Sequence, residues 1–444
     1  MPLATPTAAD TDSPSPDCVG AATATRSAYR ADIFVGRSDL WLIYVSNGLT
    51  MTAVSMLVRY ADFVTFLGGG EAQLGLIVGI GMIGSLAMRL AQGVGIDRYG
   101  ARRIWLWSLA LYIGSILANS MLTSAYGPGI FLVRIMMQTA IAGIFGASIT
   151  HVSRCAPPTR MAEMVGTVGI AGFVGMLVGP QLSDWICGHG ITGQTELNRL
   201  FQTSAFVAGW GLLAAWLATR REVPPRSRRR LPLLALARRY QPGWVLFAVA
   251  VAAGAGLNLP FTFLRSFAVE RHLSSIGLFF SWYAVTAIVV RLLTRSMFER
   301  YGNRPWTIAG LFLLAVSLVC YLPVRQPWHW LVPGTMAGIA HALLFPTIVA
   351  AGSTAFPERY RGLGTTLMLT MFDVGNLVGP PFVGGTLHMA RSLALPAYGT
   401  MIVSVAALLS MVGAIYAICD RRPAKPVRRV GVPGSAGSRT VLRR

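Results

Sequence analysis

The sequence predicts an all-α membrane protein of twelve transmembrane helices, built as two six-helix halves with both chain ends in the cytoplasm. Three observations carry that reading. The chain has 444 residues, is 54% hydrophobic and only 12% charged, about half the charged share of a soluble domain, and its mean hydropathy is +0.56. Its apolar residues fall into twelve runs, each near the length of about 20 residues that a bilayer-spanning helix needs. Its basic residues gather in alternate gaps between those runs.

The runs can be taken in order. The first starts near Leu40. The second starts near Gln73, the third near Ile104, the fourth near Gly129, the fifth near Glu163 and the sixth near Leu200. A basic loop, RREVPPRSRRRLPLLALARRY, follows. The next six start near Trp244, Ser275, Trp306, His329, Leu363 and Ala397. Each must be a helix, because within a bilayer every backbone polar group has to be satisfied inside its own segment. The chain therefore divides into an N-terminal tail (1–38, rich in Ala, Thr, Ser, Pro and Asp, read as disordered and not as a signal peptide), a first half (39–219), a linker (220–243), a second half (244–419) and a basic tail (420–444).

With the N-terminus inside, 29 of the 38 Lys and Arg residues lie in the tails and inner loops. The outer loops hold only Arg199, Arg271, Arg325 and Arg391. That asymmetry orients the chain, both ends cytoplasmic. The net charge of +21 is spread among the gaps, not gathered on one domain, which argues against a nucleic-acid partner. The five cysteines show no CxxC spacing, so neither a metal site nor a disulfide framework is expected.

Two stretches recur. RLAQGVGIDRYGARR (89–103) returns 202 residues later as RLLTRSMFERYGNR (291–304), and GMLVGP (175–180) returns as GNLVGP (375–380). A weaker echo joins LVRY at Leu57 with FLRS at Phe263. Ordered matches at offsets near 200 mean duplicated halves in the same orientation, with a central cavity between them.

GVGIDRYGARR resembles the signature of the loop between helices two and three in the major facilitator superfamily, and FERYGNR resembles its partial copy after helix eight. GxLVGP resembles the helix-five motif of that family's proton-coupled antiporters. The resemblance covers about residues 39–420. It departs from the antiporter pattern where Gln181, Leu182, Ser183 and Asp184 stand in place of two glycines; Gly384 and Gly385 fit that pattern better in the second half. In the fourth run Arg134 is kept, but Gln138 and Gly143 are displaced. The resemblance implies a transporter working by alternating access, with the first motif acting as a cytoplasmic latch.

Residue chemistry gives these motifs physical content. Gly93 and Gly95 permit close helix approach, and Gly100 permits a turn of positive φ. Asp97 can cap a helix start or pair with arginine. Arg98, Arg102 and Arg103 can clamp carboxylates or helix C-termini, and Glu299, Arg300, Gly302 and Arg304 repeat the set. Gly175, Gly179 and Pro180, with Gly375, Gly379 and Pro380, are expected to bend or loosen helices five and eleven.

Five arginines fall inside the runs, where a charge costs a few kcal/mol and marks a cavity or a pathway. Arg89 and Arg291 are equivalent under the duplication and can form a fork for a carboxylate or phosphate; they can equally pair with gate acids. Arg59 and Arg265 form a looser pair near the outer ends, and Arg134 stands in the outer third of the fourth run. Asn47 and Asn258 can orient a substrate or hydrogen-bond between helices. Asp373 and His341 lie deep in their runs and are the candidates for proton coupling; the alternatives are a salt bridge for Asp373 and a hydrogen-bonded interior site for His341.

No P-loop is present and the one lysine, Lys425, is in the tail, so ATP-driven transport by this chain alone is not expected. No nucleophile with base, paired carboxylates or metal cluster points to an enzyme. The reading is a secondary active transporter of a small solute, proton-coupled, with an anionic substrate and no cofactor. It is placed as a monomer in the inner membrane of a bacterium, its partners being lipid, substrate and protons. A multidrug-type proton antiporter is the alternative, and a non-transporting receptor or scaffold on the same fold the further one.

Overall fold

The computed structural model describes residues 37–155, 161–188, 193–220, 243–273, 275–294, 297, 301–356 and 361–419. Every regular element among them is helical. The expected tails, the body of the linker, Glu299 and Arg300 lie outside the described residues.

Helix α1 (Arg37–Met56) continues through a 3-10 turn (Leu57–Arg59) into a short helix (Tyr60–Phe66). There follow α2 (Glu71–Tyr99), α3 (Ala101–Asn119), α4 (Pro128–Cys155), α5 (Met161–Cys187) and α6 (Gln194–Thr219). The second set is α7 (Trp244–Glu270), α8 (Gly277–Thr294), α9 (Arg304–Val319), α10 (Leu331–Thr354, entered by a 3-10 turn Pro327–Trp330), α11 (Arg361–Ser392) and α12 (Ala397–Cys419). Nine helices among the described residues are long and apolar enough to cross a membrane, against the twelve spans expected. The other three are α3, α9 and α11. Helix α3 opens on Arg102 and Arg103, α9 has only 16 residues, and α11 carries Asp373 with Pro380 and Pro381 in its body.

The packing repeats. In the first set α1 packs on α5 and α6, α4 on α2 and α3, and α3 on α6; in the second set α7 packs on α11 and α12, α10 on α8 and α9, and α9 on α12. Each contact has its counterpart six helices later. The sets meet through α2 against α11 and α5 against α8, which are themselves a related pair of interfaces. We call the end of the bundle where α1 begins and α12 ends the near face, and the opposite end, with turns 67–70, 120–127 and 393–396, the far face.

Two pairs of motif glycines have a clear geometric cause. Gly100 joins α2 to α3 with φ 87°, and Gly302 before α9 has φ 76°, a region that side-chain-bearing residues avoid. A Cβ on Gly175 would stand 2.5 Å from the Gly48 carbonyl and 2.6 Å from the Thr52 nitrogen of α1; one on Gly375 would run into the Val251 carbonyl of α7. The GxLVGP glycines thus let α5 lie on α1 and α11 on α7 at backbone distance. Both helices run on through their prolines.

Candidate functional site

A cavity of about 310 Å³ lies between the two sets, walled by α1, α4, α5, α7, α10 and α11. Most of its lining is apolar, with Met51, Met137 and Met176 and with Phe145, Phe261, Phe345 and Phe372. Its polar lining is Arg134 and Gln138 from α4, Asn258 and Thr262 from α7, His341 from α10 and Asn376 from α11. Such a surface suits a small solute with an apolar body and few polar groups.

Of the five arginines expected within the spans, only Arg134 lines this cavity. Its guanidinium lies over the Tyr60 ring, 4.4 Å from the ring centre. Its Nε is buried without a hydrogen-bond partner, and it makes no ion pair among the described residues. Gly81 of α2 makes room for it: a Cβ there would sit 2.5 Å from Arg134 Cγ. Asn376 Oδ1 is likewise buried and unsatisfied. Asn258 faces the cavity as expected, and His341 does so while its Nδ1 hydrogen-bonds the buried Tyr283 hydroxyl of α8. Gln138 turns its amide toward Met82 Sδ, 2.9 Å away.

The other expected cavity residues are engaged elsewhere. Arg89 pairs with Asp373 through Nε, with a second contact from Nη2 at 3.3 Å, and Ser85 donates to the same carboxylate at 2.6 Å. This bridge ties α2 to α11, so Arg89 and Asp373 neutralise each other across the two sets. Asn47 is buried; it donates to Ile43 O at 2.9 Å and accepts from Ser148 of α4 at 3.0 Å. It is an interhelical bond, not a cavity group. Arg291 is the twin of Arg89, but the counterpart of Asp373 is Phe173. Arg291 reaches Gly169 of α5, where a Cβ would lie 3.0 Å from Nη1, and it makes no ion pair among the described residues.

Arg59 and Arg265 are almost fully buried, yet neither lines the cavity. They belong to an ion-pair cluster on its far side. Arg59 donates to Asp184 at 2.8 and 3.0 Å, to Asp62 at 3.1 Å and to Gly188 O at 2.8 Å. Arg265 donates to Asp62 at 2.9 Å. Asp184 also accepts from Ser275 Oγ at 2.7 Å and from the Ile276 and Gly277 amides at 3.1 and 2.8 Å, at the start of α8. A second, exposed cluster joins Arg391 to Glu71 and Glu270 at 2.7 and 3.0 Å. Both clusters join the two sets at the far face. Charges this deep need such partners, since an unpaired buried ion costs several kcal/mol.

The sequence profile of the Major Facilitator Superfamily matches residues 40–278 and 272–442. The chain belongs to the Major Facilitator Superfamily. Over 395 residues it is 19% identical to an uncharacterized MFS-type transporter of Methanocaldococcus jannaschii, a match covering 84% of this chain and 97% of that one. A shorter stretch of 153 residues, 33% of this chain and 26% of the relative, is 29% identical to a multidrug resistance protein B homolog of Mycobacterium tuberculosis. Among solved structures, a mutant of the nucleoside transporter NupG superposes with TM-score 0.71 at 13% identity, over 85% of this chain and 99% of that one. A bacterial homolog of the human lysosomal transporter Spinster, inward-facing and unoccupied, gives 0.66 at 17% identity, over 87% and 96%. The fold is therefore that of the superfamily, and the protein is a multi-pass membrane transporter, not an enzyme.

In this MFS chain, one side-chain hydrogen bond of the loop motif lies among the described residues. Arg304 donates to Ala417 O at 2.6 Å, so it clamps the C-terminal end of α12 within its own set. Arg98 is exposed and lies over Tyr99, 5.3 Å from the ring centre; Arg103 is exposed as well. Arg102 keeps a buried Nε without a hydrogen bond. Among the described residues, a Cβ on Gly95 would meet Ile104 of the following helix at ordinary contact distance. Gly93 and Asp97 lie within α2, but their side chains, like Glu299 and Arg300, are outside the described residues.

Sequence reading missed Asn376, Tyr283, Tyr60 and the far-face roles of Asp62 and Asp184. Asp62 stands three residues after Arg59, a spacing that brings side chains together on a helix and was the available signal. Nothing in the chain's order announces Asp184, which is 125 residues from its partner.

Proposed function

We propose that this protein is a secondary active transporter that moves a small amphipathic anion by alternating access, coupled to protons. Arg134 carries the reading. A buried guanidinium with one face on Tyr60, an unsatisfied Nε and no carboxylate partner among the described residues is a site suited to a counter-ion, and a substrate carboxylate or phosphate would supply it with charge-assisted hydrogen bonds. The apolar walls would receive the rest of the solute, and the amides of Asn258 and Asn376 would orient it. Arg291, which also makes no ion pair among the described residues, is set toward the near face. Alternating access is supported by the repeated packing and by ion pairs that join the two sets at the far face. The charge asymmetry of the loops supports a cytoplasmic near face, and we read the bilayer as a bacterial inner membrane. One copy of the chain encloses the whole cavity, which favours a monomer.

For the proton, Asp373 is the better carrier than His341. Its bridge to Arg89 joins the two sets, so protonating it would release them from each other. The partner of His341, Tyr283, belongs to the same set and would travel with it.

The test is transport in liposomes with an imposed pH gradient, using amphipathic carboxylates beside organic cations. Carboxylates should be moved by the wild type and not by Arg134→Gln, while that variant remains folded. A second reading, multidrug efflux, is favoured by the methionine- and phenylalanine-rich wall and by the partial match to the multidrug resistance homolog. Transport of cations but not of carboxylates would establish it and discard the anion.

A further inference from the structure

A permanent charge stands on one side of the cavity only. Its first-set wall carries Arg134, and its second-set wall offers Asn258, Thr262, His341 and Asn376. No acidic residue is found among the described residues of the lining. Asp373, on the same helix as Asn376, is taken up by Arg89 and Ser85. The polar groups of the second-set wall are not equally free. The Thr262 hydroxyl donates to Asn258 O at 3.3 Å, and His341 Nδ1 shares a hydrogen bond with the Tyr283 hydroxyl. Asn376 differs: its Oδ1 is buried and has no hydrogen-bond partner among the described residues. The backbone under it is fixed. Gly375, the residue before it, lies directly on α7, where a Cβ would run into the Val251 carbonyl, and Gly379 lies on Ala255 one turn later. An amide acceptor left unpaired in a protein interior costs free energy that a bound donor restores. The terminal torsion of asparagine is soft, so the amide can turn its oxygen to a solute without moving α11.

We propose that the substrate is a monoanionic amphipathic acid with a neutral hydrogen-bond donor, a hydroxyl or an amide, remote from its acid group, and that Asn376 selects for that donor. The inference rests on the anionic reading of Arg134 above and narrows it. One guanidinium in the lining matches one negative charge. A second carboxylate would lie against apolar walls and neutral amides with no guanidinium to meet it, and an ammonium would find no carboxylate. An acid without a donor would leave Asn376 Oδ1 unpaired. A hydroxyl can donate to that oxygen and also accept from an asparagine amide. The rest of the wall is apolar, so the chain or ring joining the two polar ends gains by leaving water.

The experiment measures binding to the full chain in lipid nanodiscs by titration calorimetry, with empty nanodiscs as the blank. The probes are octanoate, ω-hydroxyoctanoate, ω-aminooctanoate and octanedioate at neutral pH. The series is repeated on hexanoate and decanoate skeletons, so that reach does not decide the outcome. The hydroxy acid should bind about three- to tenfold more tightly than the plain acid, the range of one neutral hydrogen bond. The amino acid and the diacid should bind at least about tenfold more weakly than the hydroxy acid. Asn376→Leu should erase the hydroxyl preference and leave octanoate binding in place. Its melting transition should persist, since Oδ1 has no bond to lose. Equal binding of the plain and hydroxy acids at every length would overturn the donor and leave an anionic substrate standing. Tighter binding of the diacid or the amino acid would overturn the single charge. A hydroxyl preference that survives Asn376→Leu would overturn the role of Asn376. Binding of none of the acids would remove the anionic reading as well. The wild-type series decides the substrate class without any variant, should the variant fold poorly.

Discussion

The Arg89–Asp373 bridge allows a stability argument with a number attached. Asp373 is 5% exposed in its side chain and Arg89 is 20% exposed, and Ser85 adds a third hydrogen bond to the carboxylate. Removing one member of a fully buried pair costs about 3–5 kcal/mol, because the other is stranded; an exposed pair is worth at most about 1 kcal/mol. One fifth of Arg89 still meets solvent, so Asp373→Leu should cost about 2–4 kcal/mol. Arg89→Leu should cost less, since the stranded carboxylate keeps its hydrogen bond from Ser85. The double variant leaves no charge to strand and should lie near the wild type. The assay is a double-mutant cycle by thermal unfolding in detergent, with transport measured in parallel. Single losses that simply add in the double variant would show that the two groups are not coupled, and would remove the bridge from any account of how the two sets are held.

Three further outcomes follow from the geometry. Gly175→Ala should destabilise the protein by about 1–3 kcal/mol, since its Cβ would press on the α1 backbone, whereas Gly172→Ala, with nothing within 4 Å, should not; melting curves of the two variants compare them directly. Gly81→Val should push Arg134 off Tyr60 and abolish stabilisation by anionic solutes while the melting transition of the empty protein survives, which a ligand-shift assay reads. Arg391→Ala should lower stability by less than about 1 kcal/mol and its effect should fade in high salt, because that cluster is exposed; Arg59→Ala should cost several times more with little dependence on salt.

Much of the architecture was legible along the chain. Trp244 and Ala397 were expected to start runs and do start α7 and α12. The start of α6 was missed by six residues: the helix begins at Gln194, and its first turn is polar, so hydropathy did not register it. The turn glycines Gly100 and Gly302 were legible because a demand for positive φ leaves one residue type as the natural choice. The GxLVGP glycines were visible as a motif expected to bend or loosen helices five and eleven; the backbone contact with α1 and α7 was not visible.

The arginines show where such reading stops. All five were identified as unusual, because cost in an apolar medium depends on the residue and its depth alone. Their roles diverge because each depends on what stands opposite. Arg89 meets Asp373, its twin Arg291 meets Gly169 and Phe173 takes the carboxylate's place, Arg59 meets Asp184 from another helix, and Arg134 meets a tyrosine ring and an open cavity.

By itself, the order of residues determined the helices, the duplication and the family, since hydropathy, charge bias and repeated motifs are properties of a segment and its neighbours in the chain. Only the tertiary structure decided which buried charge joins the sets at the far face, which one bridges them within the bundle and which is left facing the cavity. An ion pair forms between groups brought within about 3–4 Å, and in this protein the partners that matter lie 125, 203 and 284 residues apart.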